Sequence, residues 1–339
     1  MTWIIGTRGS ALALWQARHV QQLLQESLPN QPTQIHVIQT TGDQDKTSPL
    51  HAIGGKGVFT KTIEQALLDG HIDMAVHSLK DMTSAMPDPL QLTAFLAAES
   101  PADAWISAEY PDFNQLPNYC TIATGSLRRA ALVKRQHPTA TIVPIRGNVG
   151  TRIKDYSTTA IGTFLSVAGL KRLGLQSRHT HPLPVQSFTP APGQGVITVQ
   201  TRRDADPLNA ALSVINDPRQ ALLSRLELAF LYSVGLDCRA PLGAHAQLIN
   251  NRQTLSIFLS TMETDLFMDE CIDIQVDSDI KTLSDRCLSW LNENKWTTSF
   301  LYKARAFEAW GRTFWALAAR NYFLCFFVCD NYAHSLCYS

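Results

Sequence analysis

Trp3-Ile4-Ile5-Gly6-Thr7-Arg8-Gly9-Ser10 is a short apolar run stopped by a glycine-bearing polar turn, and it reads as a strand passing into a helix. Ser10 can cap the helix, since Leu12, Trp15, Leu23 and Leu24 then fall near one helical face. Ile35-His36-Val37-Ile38 is a second strand. Gly54-Gly55-Lys56-Gly57 makes a flexible loop before a helix over about 59–69, and Asp73-Met74-Ala75-Val76-His77-Ser78 is a third strand. Strands alternating with helices predict a mostly parallel α/β sheet.

The pattern resumes after a proline-rich stretch at Pro87, Pro89 and Pro101. Thr121-Ile122-Ala123 is a strand, Ser126 to Gln136 a helix, and Thr141-Ile142-Val143 a strand again. Gly193-Gln194-Gly195 leads into the strand Val196-Ile197-Thr198-Val199, and a helix covers about 217–234. Residues 244–293 read as a small α/β unit, with strands near 245–249, 254–260 and 271–276 and a helix near 281–293.

With 339 residues, two or three domains are expected. Basic and acidic residues balance at 29 each, which argues against a generic nucleic-acid binder or a polybasic membrane protein. Residues 1–239 carry 21 Lys and Arg against 18 Asp and Glu, so the excess of positive charge sits where the strand–turn–helix motifs are. The seven cysteines include no CxxC pair, which excludes a disulfide framework and a zinc ribbon. The N-terminus lacks signal-peptide architecture, and a reducing, cytoplasmic location is expected. Thr313 to Cys329 is largely apolar but is interrupted by Arg320 and Asn321, so a packed extra segment fits it better than a membrane span.

Arginines carry the chemical signal. Arg8 lies at a strand-to-helix turn, Arg128 and Arg129 follow Thr124-Gly125-Ser126 at a helix start, and Arg146 and Arg152 flank Gly147-Asn148-Val149-Gly150. Arg172 closes Ala168-Gly169-Leu170-Lys171-Arg172. Loops at the carboxyl ends of parallel strands bind ligands, helix N-termini offer free N–H groups, and guanidiniums pair with carboxylates or phosphates. Together they describe a cleft for a multiply anionic ligand, while any single one of them is better read as a solvated surface charge. Asp81, next to Lys80 after the third strand, is either a surface ion partner or, in a cleft, a general acid/base or a stabiliser of a developing cation. Cys238, in Gly235-Leu236-Asp237-Cys238-Arg239-Ala240-Pro241-Leu242-Gly243, is either a buried small hydrophobe or an accessible nucleophile or covalent anchor. Gly54-Gly55-Lys56-Gly57 lacks the rest of a P-loop, and Cys325, Cys329 and His334 make a poor metal site, so no metal is assigned.

These motifs resemble the porphobilinogen deaminases. The matching stretches are TRGSALALWQA (7–17), GGKGVFTK (54–61), DMAVHSLKDM (73–82), TGSLRRAAL (124–132), IRGNVGTR (145–152), VAGLKRLGL (167–175), PAPGQG (190–195) and CRAPLGAHA (238–246), in the family's order over about 1–290. The resemblance implies two α/β lobes like those of periplasmic binding proteins around a cleft, plus a small α/β C-terminal domain. It places domain 1 at 1–96 and 196–216, domain 2 at 97–195, domain 3 at 217–296, and an atypical tail at 297–339. It implies a transferase that joins four porphobilinogen molecules head to tail, releases ammonia and yields the linear tetrapyrrole hydroxymethylbilane. It also implies a dipyrromethane cofactor on Cys238, Asp81 as the catalytic carboxylate, and Lys80, Ser10, Thr124, Ser126, Arg128, Arg129 and Arg146 around the cofactor. Arg8, Arg152 and Arg172 would meet substrate. A monomer without nucleic-acid or membrane partners is implied as well.

Two regions depart from the family pattern. Residues 153–166 match at their flanks but not in the middle, which seats a weaker helix after Arg152 and a weaker following strand among the expectations. The tail from about 297 lies past the usual family end. A two-lobed anion-binding protein and a poorly active relative are the alternatives, and the joint presence of Asp81, Cys238 and the arginines favours the enzyme.

Overall fold

A computed structural model describes residues 2–40, 60–82, 86–236, 240–250, 252–261, 267–274 and 277–294. The loop Gly54–Gly57, Cys238 with its two neighbours, and the tail from 297 lie outside the described residues.

Strand β1 (Trp3–Arg8) leads into helix α1 (Ala11–Ser27), and the Ser10 hydroxyl accepts from the Ala13 N–H, as an N-cap does. Helix α1 buries Gln16, Ala17, Val20 and Leu24 along one stripe, packing with Ile5, Met74 and Val76. The first sheet runs β2 (Thr33–Ile38), β1, β3 (Met74–Ser78), β10 (Ile197–Arg202), β4 (Leu90–Phe95). The first three are parallel, while β10 is antiparallel to both its neighbours.

The second sheet repeats that plan. Its order is β7 (Thr141–Val143), β6 (Thr121–Ala123), β8 (Gly162–Ser166), β5 (Asp103–Ile106), β9 (Thr180–Pro182). Strands β7, β6 and β8 are parallel, and β5 runs against β8 and β9. The α/β expectation holds: in each sheet four of the five strands run the same way, and one strand is reversed. In each sheet the reversed fourth strand belongs to a chain that has just crossed from the other sheet, and no local periodicity reports such a crossing. The two crossings run side by side, with the Leu96 N–H bonded to Ile197 O at 3.0 Å and the Glu99 N–H to Gly195 O at 3.2 Å.

The segment around 153–166 builds helix α4 (Val149–Asp155), a 3-10 turn (Tyr156–Thr158) and β8. Helix α4 is short and buries no residue, whereas β8 forms in full and buries Gly162 to Leu165.

A third, antiparallel sheet has the order β11 (Leu242–Ile249), β12 (Arg252–Ser260), β13 (Phe267–Ile274). Helix α7 (Pro218–Ser233), capped by Asp217 and started by Pro218, covers it together with α8 (Asp277–Glu293). Phe258 of β12 reaches into the core of the second sheet, against Trp105, Phe164 and Phe188. The third sheet is thereby fastened to the second. No helix among the described residues is long and apolar enough to cross a membrane.

Candidate active site

Strand β3 ends in a single 3-10 turn, Leu79–Asp81, and that turn delivers Lys80 and Asp81 to a cavity of about 150 Å³. Helix α3 (Leu127–Gln136) starts on the opposite side, where Ser126 caps it by accepting from the Arg129 N–H at 3.4 Å. Ser126, Arg128 and Arg129 line the same cavity, as does Gln194 from the returning crossing. Leu228, Leu231, Ala240 and Leu242 close it from the third sheet and its helix. A larger hollow of about 250 Å³, between Thr93, Asn209, Asn216 and Arg225, contains none of the expected site residues.

Arg128 and Arg129 line the cavity with part of their guanidinium donors already engaged inside the protein. Both guanidiniums bind Asp103, a fully buried carboxylate at the start of β5. Arg128 Nη2 lies 2.8 Å from Asp103 Oδ2, and Arg129 Nε and Nη2 donate to Oδ1 at 3.1 and 2.6 Å. Arg128 Nη1 donates to Thr189 O at 2.8 Å, and Arg129 Nη1 to Phe164 O at 2.9 Å. Burial alone would raise the Asp103 carboxyl, but the two guanidinium charges outweigh it and hold the group well below the usual carboxylate range. Gln194 Nε2 donates to Pro101 O at 2.6 Å and to Asp103 Oδ1 at 3.1 Å, and its Oε1 accepts from Lys80 Nζ at 3.4 Å. Burial pushes the Lys80 ammonium down to about 8; Asp81 and Asp103 oppose that, and Arg129 and Arg128 add to it.

The other arginines gather near this centre. Arg152 donates from Nε to Gly147 O at 2.8 Å. Burial, then the charges of Arg129 and Arg146, push Arg152 down to about 10 against the pull of Asp81. Arg146 Nη1 is buried and has no hydrogen-bond partner among the described residues. Arg8 ends β1, and its charge adds to the burial that pushes His77 down to about 4, with Gln200 opposing. Thr124 is buried and its hydroxyl accepts from the Ser126 N–H at 3.2 Å, which shapes the helix start. Arg172 is committed elsewhere: Nη2 donates to Gly195 O at 2.6 Å, and its guanidinium lies over the Trp15 ring, 5.7 Å from the centroid.

The structure thus brings Lys80, Asp81, Ser126, Arg128 and Arg129 to one cavity, with Arg146 and Arg152 in electrostatic reach. Ser10 caps its helix, and Arg172 braces the crossings. Three residues were missed by sequence reasoning: Asp103, Gln194 and Glu227. Glu227 of α7 accepts from the Gly193 N–H at 2.6 Å and from the Ala246 N–H at 2.8 Å, so it pins the turn that carries Gln194. Only Gln194 had a signal, its place between two glycines at φ +72° and +94°.

Two guanidiniums on one buried carboxylate, with Lys80 joined to it only through Gln194, leave an excess of positive charge, and the orphaned Arg146 donor adds an unfilled valence. A ligand bearing several carboxylates, as a dipyrromethane does, fits that demand.

Comparison with known proteins agrees. Residues 3–210, more than half of the chain, match the family model described as porphobilinogen deaminase, dipyromethane cofactor binding domain. The porphobilinogen deaminase of Nitrobacter winogradskyi is 43% identical over 251 residues, covering 73% of this chain and 79% of that protein. That of Syntrophomonas wolfei is 44% identical over 245 residues, covering 72% and 80%. Among solved structures, the methionine-binding protein MetQ aligns at a TM-score of 0.41 and 11% identity, over 67% of this chain and 94% of that one.

Proposed function

The chain belongs to the porphobilinogen deaminase family, and on that premise we propose which of its residues carry the reaction. It is a transferase of tetrapyrrole biosynthesis, joining four porphobilinogen molecules head to tail with release of ammonia to give hydroxymethylbilane. Its cofactor is dipyrromethane, which when bound supplies the terminal pyrrole from which the product chain grows.

The reading rests on one observation: Arg128 and Arg129 share the buried carboxylate Asp103, and Lys80 is joined to it through Gln194, at a cavity edged by the exposed Asp81. Each pyrrole unit carries an acetate and a propionate. Lys80, Arg128 and Arg129 hold those carboxylates of the cofactor as charge-assisted pairs, with Ser10, Thr124 and Ser126 shaping the helix starts beside them. Arg146 turns its unpaired Nη1 donor to the same use. Arg8 and Arg152 receive the carboxylates of incoming substrate, and Arg172 serves substrate by holding the crossing in place. Asp81 stabilises the cation left when porphobilinogen loses ammonia, and it takes up the proton released when the new carbon–carbon bond forms.

Cys238 anchors the cofactor by a thioether. It lies outside the matched and the described residues, two positions before Ala240, which lines the cavity. Residues 1–96 with 196–216, 97–195 and 217–296 act as three units, in a monomer working in the cytoplasm.

Asp81→Ala tests the central assignment. Turnover of porphobilinogen is lost while the intact mass still contains dipyrromethane; near-normal turnover contradicts the role.

A further inference from the structure

Asp103 lies at 0% exposure, where an ionised carboxylate is costly unless it is fully paired. A buried ion pair is weak evidence for stability, because apolar packing serves a fold as well. What the Asp103 arrangement does supply is direction. Each guanidinium is fixed at two separate points, on Asp103 and on a backbone carbonyl, so its plane is set. Gln194 must turn its amide nitrogen toward Pro101 O and Asp103 Oδ1, which leaves its oxygen facing Lys80. Lys80 comes from the first sheet and the arginines from the second, so this one carboxylate sets cations on both sides of the cavity.

We propose that Asp103 is a positioning residue for the reaction: through direct pairing it orients Arg128 and Arg129, and through Gln194 it places Lys80, so that incoming pyrrole carboxylates meet a preset array. This rests on the reading of those three cations as carboxylate-binding. Lys80 is faced by Asp81 on its own turn, by Arg128 and Arg129 on α3, and by Asp103 on β5. Asp103 favours the charged ammonium, so its neutralisation makes Lys80 lose its proton at lower pH.

The experiment uses the full-length chain and its Asp103→Asn, Asp103→Glu and Gln194→Met variants. On one portion of each chain, freed of dipyrromethane, Lys80 is labelled with acetic anhydride across pH 6–10 and read by peptide mass. Porphobilinogen is added to a separate, unlabelled portion, and the rate of dipyrromethane attachment is followed by intact mass. In Asp103→Asn the labelling midpoint falls by at least half a pH unit and attachment slows tenfold or more; Asp103→Glu restores most of both. A folded Asp103→Asn chain with the wild-type midpoint and attachment within twofold overturns the proposal. If Asp103→Asn does not fold, Gln194→Met decides, because it cuts the link to Lys80 without stranding a charge. A lowered midpoint and slower attachment there support the proposal, and unchanged values overturn it. Failure of the wild-type chain itself to attach dipyrromethane would instead refute the underlying assignment of the cavity.

Discussion

Arg172 donates from Nη2 to the carbonyl of Gly195 at 2.6 Å, tying a helix of the second sheet, α5 (Val167–Arg172), to the crossing that returns to the first. Gly195 sits at φ +94°, and a Cβ there would come within 2.3 Å of Glu99 O on the other crossing. The guanidinium therefore braces the closest approach of the two crossings, and the indole of Trp15 on α1 packs against it. Arg172→Leu lowers stability by about 1–3 kcal/mol, the cost of stripping a buried carbonyl of a charged donor. Thermal unfolding checks it; a wild-type Tm with only a raised KM would make Arg172 a substrate contact and nothing more.

Arg146 should behave in the opposite way. Its Nη1 is buried without a partner, so Arg146→Leu costs the fold little and leaves Tm within about a degree or two of wild type. Chain extension, however, stalls. Mass spectrometry of the enzyme incubated with porphobilinogen then shows accumulated partial chains in place of free tetrapyrrole, and unchanged kinetics would refute the carboxylate-holding role.

The Lys80 ammonium, pushed down to about 8 from its ordinary value by burial, gives a pH prediction with a definite sign. A lysine that holds its proton less tightly when folded penalises folding below its folded pKa, and the penalty is relieved as pH rises through about 8. Anion binding needs the proton, so it weakens over the same range. The attachment rate of dipyrromethane falls above pH 8 while the cofactor-free chain grows no less stable. Lys80→Arg moves that fall to higher pH, because a guanidinium stays charged. An attachment rate flat from pH 7 to 9.5 would contradict the assignment.

Much of this was legible in the sequence because the signals are local. The run Trp3 to Ser10 fixes a strand, a turn and a capped helix within one short window, and Ser126 marks the start of α3 in the same way. Strand β5 was not legible, nor was the reversed direction of β10. Asp103–Ile106 is buried throughout, with no alternation to betray a strand, and its pairing with β8 and β9 depends on a crossing from the other sheet. For the same reason the arginine pair was visible as positive charge but its partner was not: Asp103 is 25 and 26 positions away from Arg128 and Arg129 in sequence and meets them only through the sheet. Gln194 was legible as a turn residue and not as the link between Asp103 and Lys80.

The central claim, an enzyme that builds its cofactor on Cys238 inside this cavity, is tested most directly by intact mass of the purified chain beside its Cys238→Ala variant. The account predicts an excess of two linked pyrroles in the first and none in the second. The same excess in both would move the anchor elsewhere, and no excess in the wild-type chain even after added porphobilinogen would contradict the claim.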